Sequence, residues 1–121
     1  MPPTVRAAFD TELALSRTAP TLETRWRALE RAHILSQPWP LPHTRAHWSM
    51  LVLALHTRDV QEACGQVLRL LVAGPGSATG RAPVGNTGRT AVGIMTPMPI
   101  PADLAAILAG AESPTTVSRA S

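Results

Sequence analysis

The 121-residue chain has no Tyr and no Lys, one Phe, three Trp and one Cys. A single cysteine excludes an intramolecular disulfide and any zinc site built from cysteine alone. With so few aromatics, the core has to be assembled from Leu, Val and Ala, a composition that favours helices over a β-sandwich. No run of about 18 residues is free of both charge and helix breakers, which predicts no membrane span. The start, Met1-Pro-Pro-Thr-Val-Arg6, lacks the basic-then-apolar order of a signal peptide. These absences predict a soluble protein of a reducing cytoplasm.

Charge of one sign is also scarce. Eleven basic residues, all Arg, stand against eight acids for a net charge of +3. The pI near 11.0 follows because, apart from the thiol and the chain amine, nothing titrates between His and Arg. The arginines run from Arg6 to Arg119 with acids between them, and no aromatic accompanies a basic cluster, so nucleic acid is not an expected partner.

What is present is helical periodicity, within a length that suits one small domain, expected over residues 1–110. Val5, Ala8, Phe9 and Leu13 predict a first helix over about 4–17, with Thr4 as N-cap. Leu22, Trp26, Leu29 and His33 predict a second over about 21–35. The stretch Ser36-Gln-Pro-Trp-Pro-Leu-Pro42 reads as a stiff turn. His43, His47, Met50, Leu51 and Ala54 share one stripe of a third helix over about 43–57. Asp59 and Glu62 form a capping box for a fourth over about 59–73, whose apolar face is Val60, Cys64, Val67 and Leu71. That helix should stop at Gly74-Pro75-Gly76. A Pro/Gly-rich loop over about 74–101, a short helix over about 102–109 closed by Gly110, and a disordered tail over 111–121 complete the reading. Short connections make the helices antiparallel neighbours. The predicted fold is all-α: two stacked antiparallel helical hairpins, a TPR-like fragment of an α-solenoid in which Ala28, Leu29 and Ala32 echo the small-large rhythm of the tetratricopeptide pair.

The four histidines separate on the helical wheel. His33 falls between Trp26 and Leu22 on the buried stripe of the second helix, with Glu30 one turn earlier on its edge. With His43 as zero, Met50 falls at about 340°, Ala54 at about 20° and His47 at about 40°, whereas His56 falls at about 220°, a surface position. The proline-stiffened turn faces His33 toward His43. Three imidazoles and the Glu30 carboxylate at one end of a hairpin match the N/O ligand set of a Zn, Ni, Co or Fe(II) site. Glu12, on the border of the first helix's apolar face, is a reserve ligand or an acceptor that orients an imidazole. A hydrogen-bond network of these histidines with Glu30, Glu12 or bound water is the alternative, since a buried imidazole without a partner costs about 1–3 kcal/mol.

Other chemistries lack their residues. The chain has one Glu-x-x-His, Glu30 to His33, where a di-iron bundle needs two, and no His-Glu-x-x-His. Cys64 on its apolar stripe reads as a buried, inert thiol rather than a nucleophile. Pro83-Val-Gly-Asn-Thr-Gly88 does not continue as a phosphate-binding loop, so Gly85-Asn86-Thr87-Gly88 reads as a turn. Met95 and Met98 are soft enough for copper but stand in a Pro-rich run where methionine more often fills gaps.

Two segments resemble a known family. Leu29-Glu-Arg-Ala-His-Ile-Leu-Ser-Gln37 with His43-x-x-x-His47-Trp-x-Met-Leu51 and Glu62-Ala-Cys-Gly-Gln66, and then Pro83 to Gly88 with Pro97-Met-Pro-Ile-Pro-Ala-Asp-Leu104, are similar to a small bacterial family known as domain of unknown function 3703. The likeness spans about residues 5 to 109. It implies that His33, His43, His47 and Glu30 belong to the family pattern, and it places the chain loosely among heavy-metal resistance neighbourhoods. Between Arg89 and Thr96 the chain departs from the Gly-Gly-Ala-Asn-Val-Ser-Pro-like run usual in the family. The resulting expectation is a protein of divalent transition-metal homeostasis or metal stress, with His33, His43 and His47 as ligands and Glu30 as fourth ligand or orienting base; an open metal position leaves room for catalysis, but no separate acid/base pair or substrate pocket is legible. The alternative is a helical module that binds a protein partner through Trp39, Trp48 and leucines.

Overall fold

The computed structural model of the protein describes residues 1–78, 85–93 and 96–112. Five helices follow one another: α1 (Pro3–Thr18), α2 (Leu22–Ser36), α3 (Pro40–His56), α4 (Val60–Ala78) and α5 (Ala102–Glu112). No strand occurs among the described residues, and no helix there is long and apolar enough to cross a membrane. The all-α reading holds. The remaining parts of the predicted loop and tail, 79–84, 94–95 with Met95, and 113–121, lie outside the described residues.

Several helix ends differ from the sequence reading, each for a local reason. Helix α1 starts at Pro3 with Pro2 as N-cap, so Thr4 lies inside the helix. Helix α3 starts at Pro40 rather than His43, taking Pro40 and Pro42 into its first turn. Prolines belong there, because the first N–H groups of a helix have no intrahelical acceptor to lose. The turn between α2 and α3 therefore shrinks to Gln37–Trp39, which holds the two helix ends close. Helix α2 begins as expected behind Thr21, whose hydroxyl takes the Thr24 N–H in a reciprocal cap.

Asp59 does cap α4, accepting the Glu62 N–H at 3.0 Å. The reciprocal half of the box is missing, because the Glu62 carboxylate turns inward to Gln66 and Thr90. The helix runs through Gly74-Pro75-Gly76 to Ala78. Pro75 forfeits one N–H···O bond there. Likewise α5 passes Gly110 and ends at Glu112, since one glycine weakens a helix by only about 1 kcal/mol.

Helix α1 packs on α2, α3 on α4, and α2 joins the two pairs, while α5 lies against α1 and α2. Connections of three residues force each pair antiparallel. Phe9, Leu13, Leu29 and Met50 centre the main core, and Val5, Leu35 and Leu104 centre a smaller one under α5. Trp39 packs against that second cluster, and Trp48 stands 59% exposed. Arg31 ties α5 down, reaching Glu12 at 2.7 Å and Asp103 at 2.5 Å.

The orientation of α4 reverses the reading of its pattern. Val60, Val67 and Leu71 are exposed, and so is Cys64, which is not the buried thiol expected. The inward face carries Glu62, Ala63, Gln66 and Arg69. A burying face this polar is stable only if its groups find partners; those partners lie around the histidines. Leu22, expected on the buried stripe of α2, is 47% exposed at the helix start.

Candidate metal centre

His33 lies one turn before the end of α2, and His43 and His47 lie on successive turns of α3. All three are buried. The Nε2 atom of His33 stands 2.9 Å from Nε2 of His43 and 3.1 Å from Nε2 of His47. Ring centroids are 4.6, 4.6 and 5.0 Å apart. Among the described residues these three make up the group whose ligand atoms converge on one point. His56 is exposed, as expected.

The outer nitrogens fix which atoms carry protons. Nδ1 of His33 faces the Asn86 carbonyl at 2.7 Å; a carbonyl only accepts, so Nδ1 bears the hydrogen and Nε2 a bare lone pair. Nδ1 of His47 faces Oε1 of Gln66 at 2.7 Å. The Gln66 amide cannot be reversed, because its Nε2 donates to Glu62 Oε1 at 2.7 Å and to the Gly88 carbonyl at 2.8 Å, both pure acceptors. His47 therefore also presents a bare Nε2. Two lone pairs face each other at 3.1 Å, and a single proton on His43 can satisfy only one of them.

Burial disfavours the charged form of His33 and His47. Desolvation, followed by the neighbouring His47 and His43, holds His33 well below the usual imidazole range. Desolvation pushes His47 down to about 4, although its bond to Gln66 opposes the shift. At neutral pH His33 and His47 therefore offer neutral imidazole nitrogens, the form that binds metal.

The segment Gly85–Thr90 forms the opposite wall. Gly85, at φ +74°, donates its N–H to Gln37 Oε1 at 3.0 Å. The Asn86 side chain takes the Gly88 N–H at 2.8 Å and donates to the carbonyls of Gly93 and Thr96 at 2.9 and 2.7 Å, which fixes its own carbonyl on His33. Gly88 sits at φ +80°, and a Cβ there would lie 2.7 Å from the His33 ring. This is a turn, as the sequence suggests, but one shaped to hold an imidazole. Gly88→Ala is expected to cost about 2–4 kcal/mol through left-handed strain and overpacking against His33. Urea unfolding measures this, and a loss under about 1 kcal/mol would contradict the close packing.

The carboxylates are placed differently from expectation. Glu30 is half-buried and does not join the three nitrogens; its Oε1 lies 3.4 Å from Arg89. Burial raises its pKa, with Arg89 opposing. Glu12 pairs with Arg31 and orients no imidazole. Orientation comes instead from the Asn86 carbonyl and from Gln66, itself held by Glu62. The latter also accepts the Thr90 N–H at 3.1 Å and lies 3.3 Å from Arg89 Nε. That contact is ionic rather than a hydrogen bond, since Arg89 Nε has no hydrogen-bond partner among the described residues. The Arg89 guanidinium stacks 3.8 Å over Trp26. Arg69 donates to the carbonyls of Arg89 and Val92. Met98 does not ligate with the histidines; its backbone carbonyl packs against Gly85.

Glu62, Gln66, Arg69 and Asn86 are the residues the site depends on that sequence reasoning did not assign to it. Their signal lies in α4, where positions 62, 66 and 69 recur at helical spacing as a polar stripe in an otherwise apolar helix.

A family model described as "Protein of unknown function (DUF3703)" matches residues 3–108. The chain belongs to the DUF3703 family. No curated protein and no solved structure matches it. In this DUF3703 chain the backbone carbonyls of Arg89, Val92, Gly93 and Thr96 serve the site by accepting from Arg69 and Asn86.

Proposed function

We propose that the protein binds one divalent transition-metal ion through Nε2 of His33, His43 and His47, and serves in metal homeostasis or as an accessory in metal stress. The observation that carries this reading is the pair of bare lone pairs on His33 and His47, each forced by an acceptor behind it and aimed at the other across 3.1 Å. A cation between them turns that repulsion into bonding. Metal–nitrogen bonds of about 2.0–2.1 Å set the nitrogens about 3.3 Å apart around a tetrahedral ion and about 3.0 Å apart on one face of an octahedral ion. The two distances from His33, 2.9 and 3.1 Å, need a shift of a few tenths of an ångström, and all three ligand atoms lie within 4.8 Å of one another.

The donor set favours Zn, Ni, Co or Fe(II), since it holds no thiolate or thioether for Cu(I). Three protein ligands leave positions for water or an exchanging partner, which suits delivery as well as storage. Glu30, paired with Arg89, stands by as an outer acidic group rather than a ligand. The lone exposed thiol of Cys64 fits a reducing cytoplasm.

Elemental analysis of the protein purified without a histidine tag tests the proposal. The expected content is about one metal per chain, falling below about 0.1 in the His43→Ala and His47→Ala variants. At free metal 100-fold above Kd, binding adds about 2.7 kcal/mol to wild-type stability, which chelator removes, while the variants do not respond. Metal-free wild type, or variants that respond like it, would overturn the ligand assignment.

A further inference from the structure

The outer face of α4 is as apolar as its inner face is polar. Val60, Cys64, Val67 and Leu71 recur at steps of four, three and four, the spacing of a helix–helix seam. Leu68 lies beside them, and all are exposed, Val60 by 71% and Leu71 by 72%. Both charged residues between Val60 and Leu71, Glu62 and Arg69, are buried on the other side. The exposed surface of this stretch therefore carries no formal charge, and Gln61 is its one exposed polar side chain. Charge depletion of this kind marks the centre of protein interfaces.

The face also has relief. Near the start of α4, Leu51, Ala54 and Leu55 of α3 and Val60, Cys64 and Val67 of α4 line a groove of about 360 Å³, closed at one end by the turn residues Arg58 and Asp59. Two turns further along, Leu68 and Leu71 protrude.

We infer that the protein forms a two-fold homodimer in which α4 lies antiparallel to α4 of a second copy. In that arrangement the protruding Leu68 and Leu71 of each copy enter the groove beside Val60 and Leu55 of the other. Between Val60 and Leu71 this face offers no charge for a charged peptide or nucleic acid to recognise, and Arg58 and Asp59, of opposite sign, stand at the groove's edge. With Leu55, the exposed aliphatic residues form a patch on the order of 500 Å², at the upper end of what monomers carry. Two of them together reach about the 1,000 Å² that specific interfaces clear. The inference does not depend on metal.

Sedimentation equilibrium of the full chain at about 100 µM, a hundredfold above a micromolar Kd, is expected to give twice 12.8 kDa. Val67→Glu combined with Leu71→Glu is expected to raise the dissociation constant at least about 100-fold while helix content by circular dichroism stays unchanged, because both positions are exposed and the added charges are buried only on pairing. Independently, a short bismaleimide is expected to link wild-type chains through Cys64 near the two-fold axis, and not to link Cys64→Ser. A wild-type monomer at this concentration, a dimer that survives both charges, or a dimer that Cys64 cannot cross-link would each overturn the inference. The cross-link decides if the charged variant fails to fold.

Discussion

Gln66→Leu is expected to destabilise the protein by about 3–5 kcal/mol and to weaken metal binding about 10–100-fold. Leucine keeps the volume but removes three bonds at once: the acceptor for His47 Nδ1, a donor to Glu62 and the donor to the Gly88 carbonyl. Each buried group left without its partner costs about 1–3 kcal/mol, and Glu62 keeps its Thr90 and Arg89 contacts, which holds the total near the middle of the possible range. Loss of an acceptor behind a metal-binding imidazole lowers affinity by the factor given. Arg27→Ala, which removes only an exposed ion pair on α2, is expected to cost less than about 1 kcal/mol. Urea unfolding of both variants checks the contrast. Equal losses would mean that the inward face of α4 does not hold the site together.

The metal-free protein is expected to lose at least about 3 kcal/mol of stability between pH 6.5 and pH 4. His47 titrates near 6.5 when unfolded and at about 4 in the fold, so the unfolded chain binds the proton first as pH falls. The fold's preference for neutral imidazole is fully present above pH 6.5 and is lost as pH drops toward the folded value. The gap between those two values corresponds to about 3 kcal/mol once both states are protonated. His33, shifted in the same direction by burial and by its histidine neighbours, adds to the loss. Set against the roughly 5–15 kcal/mol of an ordinary domain, this makes acid unfolding in chelator early and steep. Denaturant midpoints measured in chelator from pH 7.5 to 4 provide the test, and a stability that stays flat across that range would show that the rings are not buried uncharged.

The convergence of His33, His43 and His47 was legible because it depends on helical period and on the hairpin alone. The wheel puts His43 and His47 on one side, the short proline turn puts His33 opposite, and neither inference needs a distant contact. The shell around them was not legible in the same way. Asn86 reaches His33 across 53 positions of sequence, and nothing local in Gly85-Asn86-Thr87-Gly88 announces an imidazole. Glu30 was selected because it lies one turn from His33, but the side chain goes to Arg89, a partner also far away in sequence.

Helix α4 shows why a hydrophobic stripe can mislead. Periodicity reveals that a helix has an apolar face, and the usual inference is that this face points to the core. Here the inner side is taken by Glu62, Gln66 and Arg69, whose hydrogen bonds to the loop and to His47 compensate their burial. The apolar side is left for another surface. The prolines illustrate the converse: Pro40 and Pro42 signal a break, yet they occupy the one turn of a helix where a missing N–H costs nothing.

Nitrogen-15 NMR of the imidazole rings reads the central claim directly, since protonated and bare ring nitrogens resonate far apart. In chelator at pH 7, His33 and His47 are expected to show a protonated Nδ1 and a bare Nε2. Stepwise Zn²⁺ should then shift the Nε2 signals of His33, His43 and His47 together, with saturation at one ion per chain. A protonated Nε2 on both His33 and His47 in the metal-free protein, or signals that do not move when Zn²⁺ is added, would contradict it.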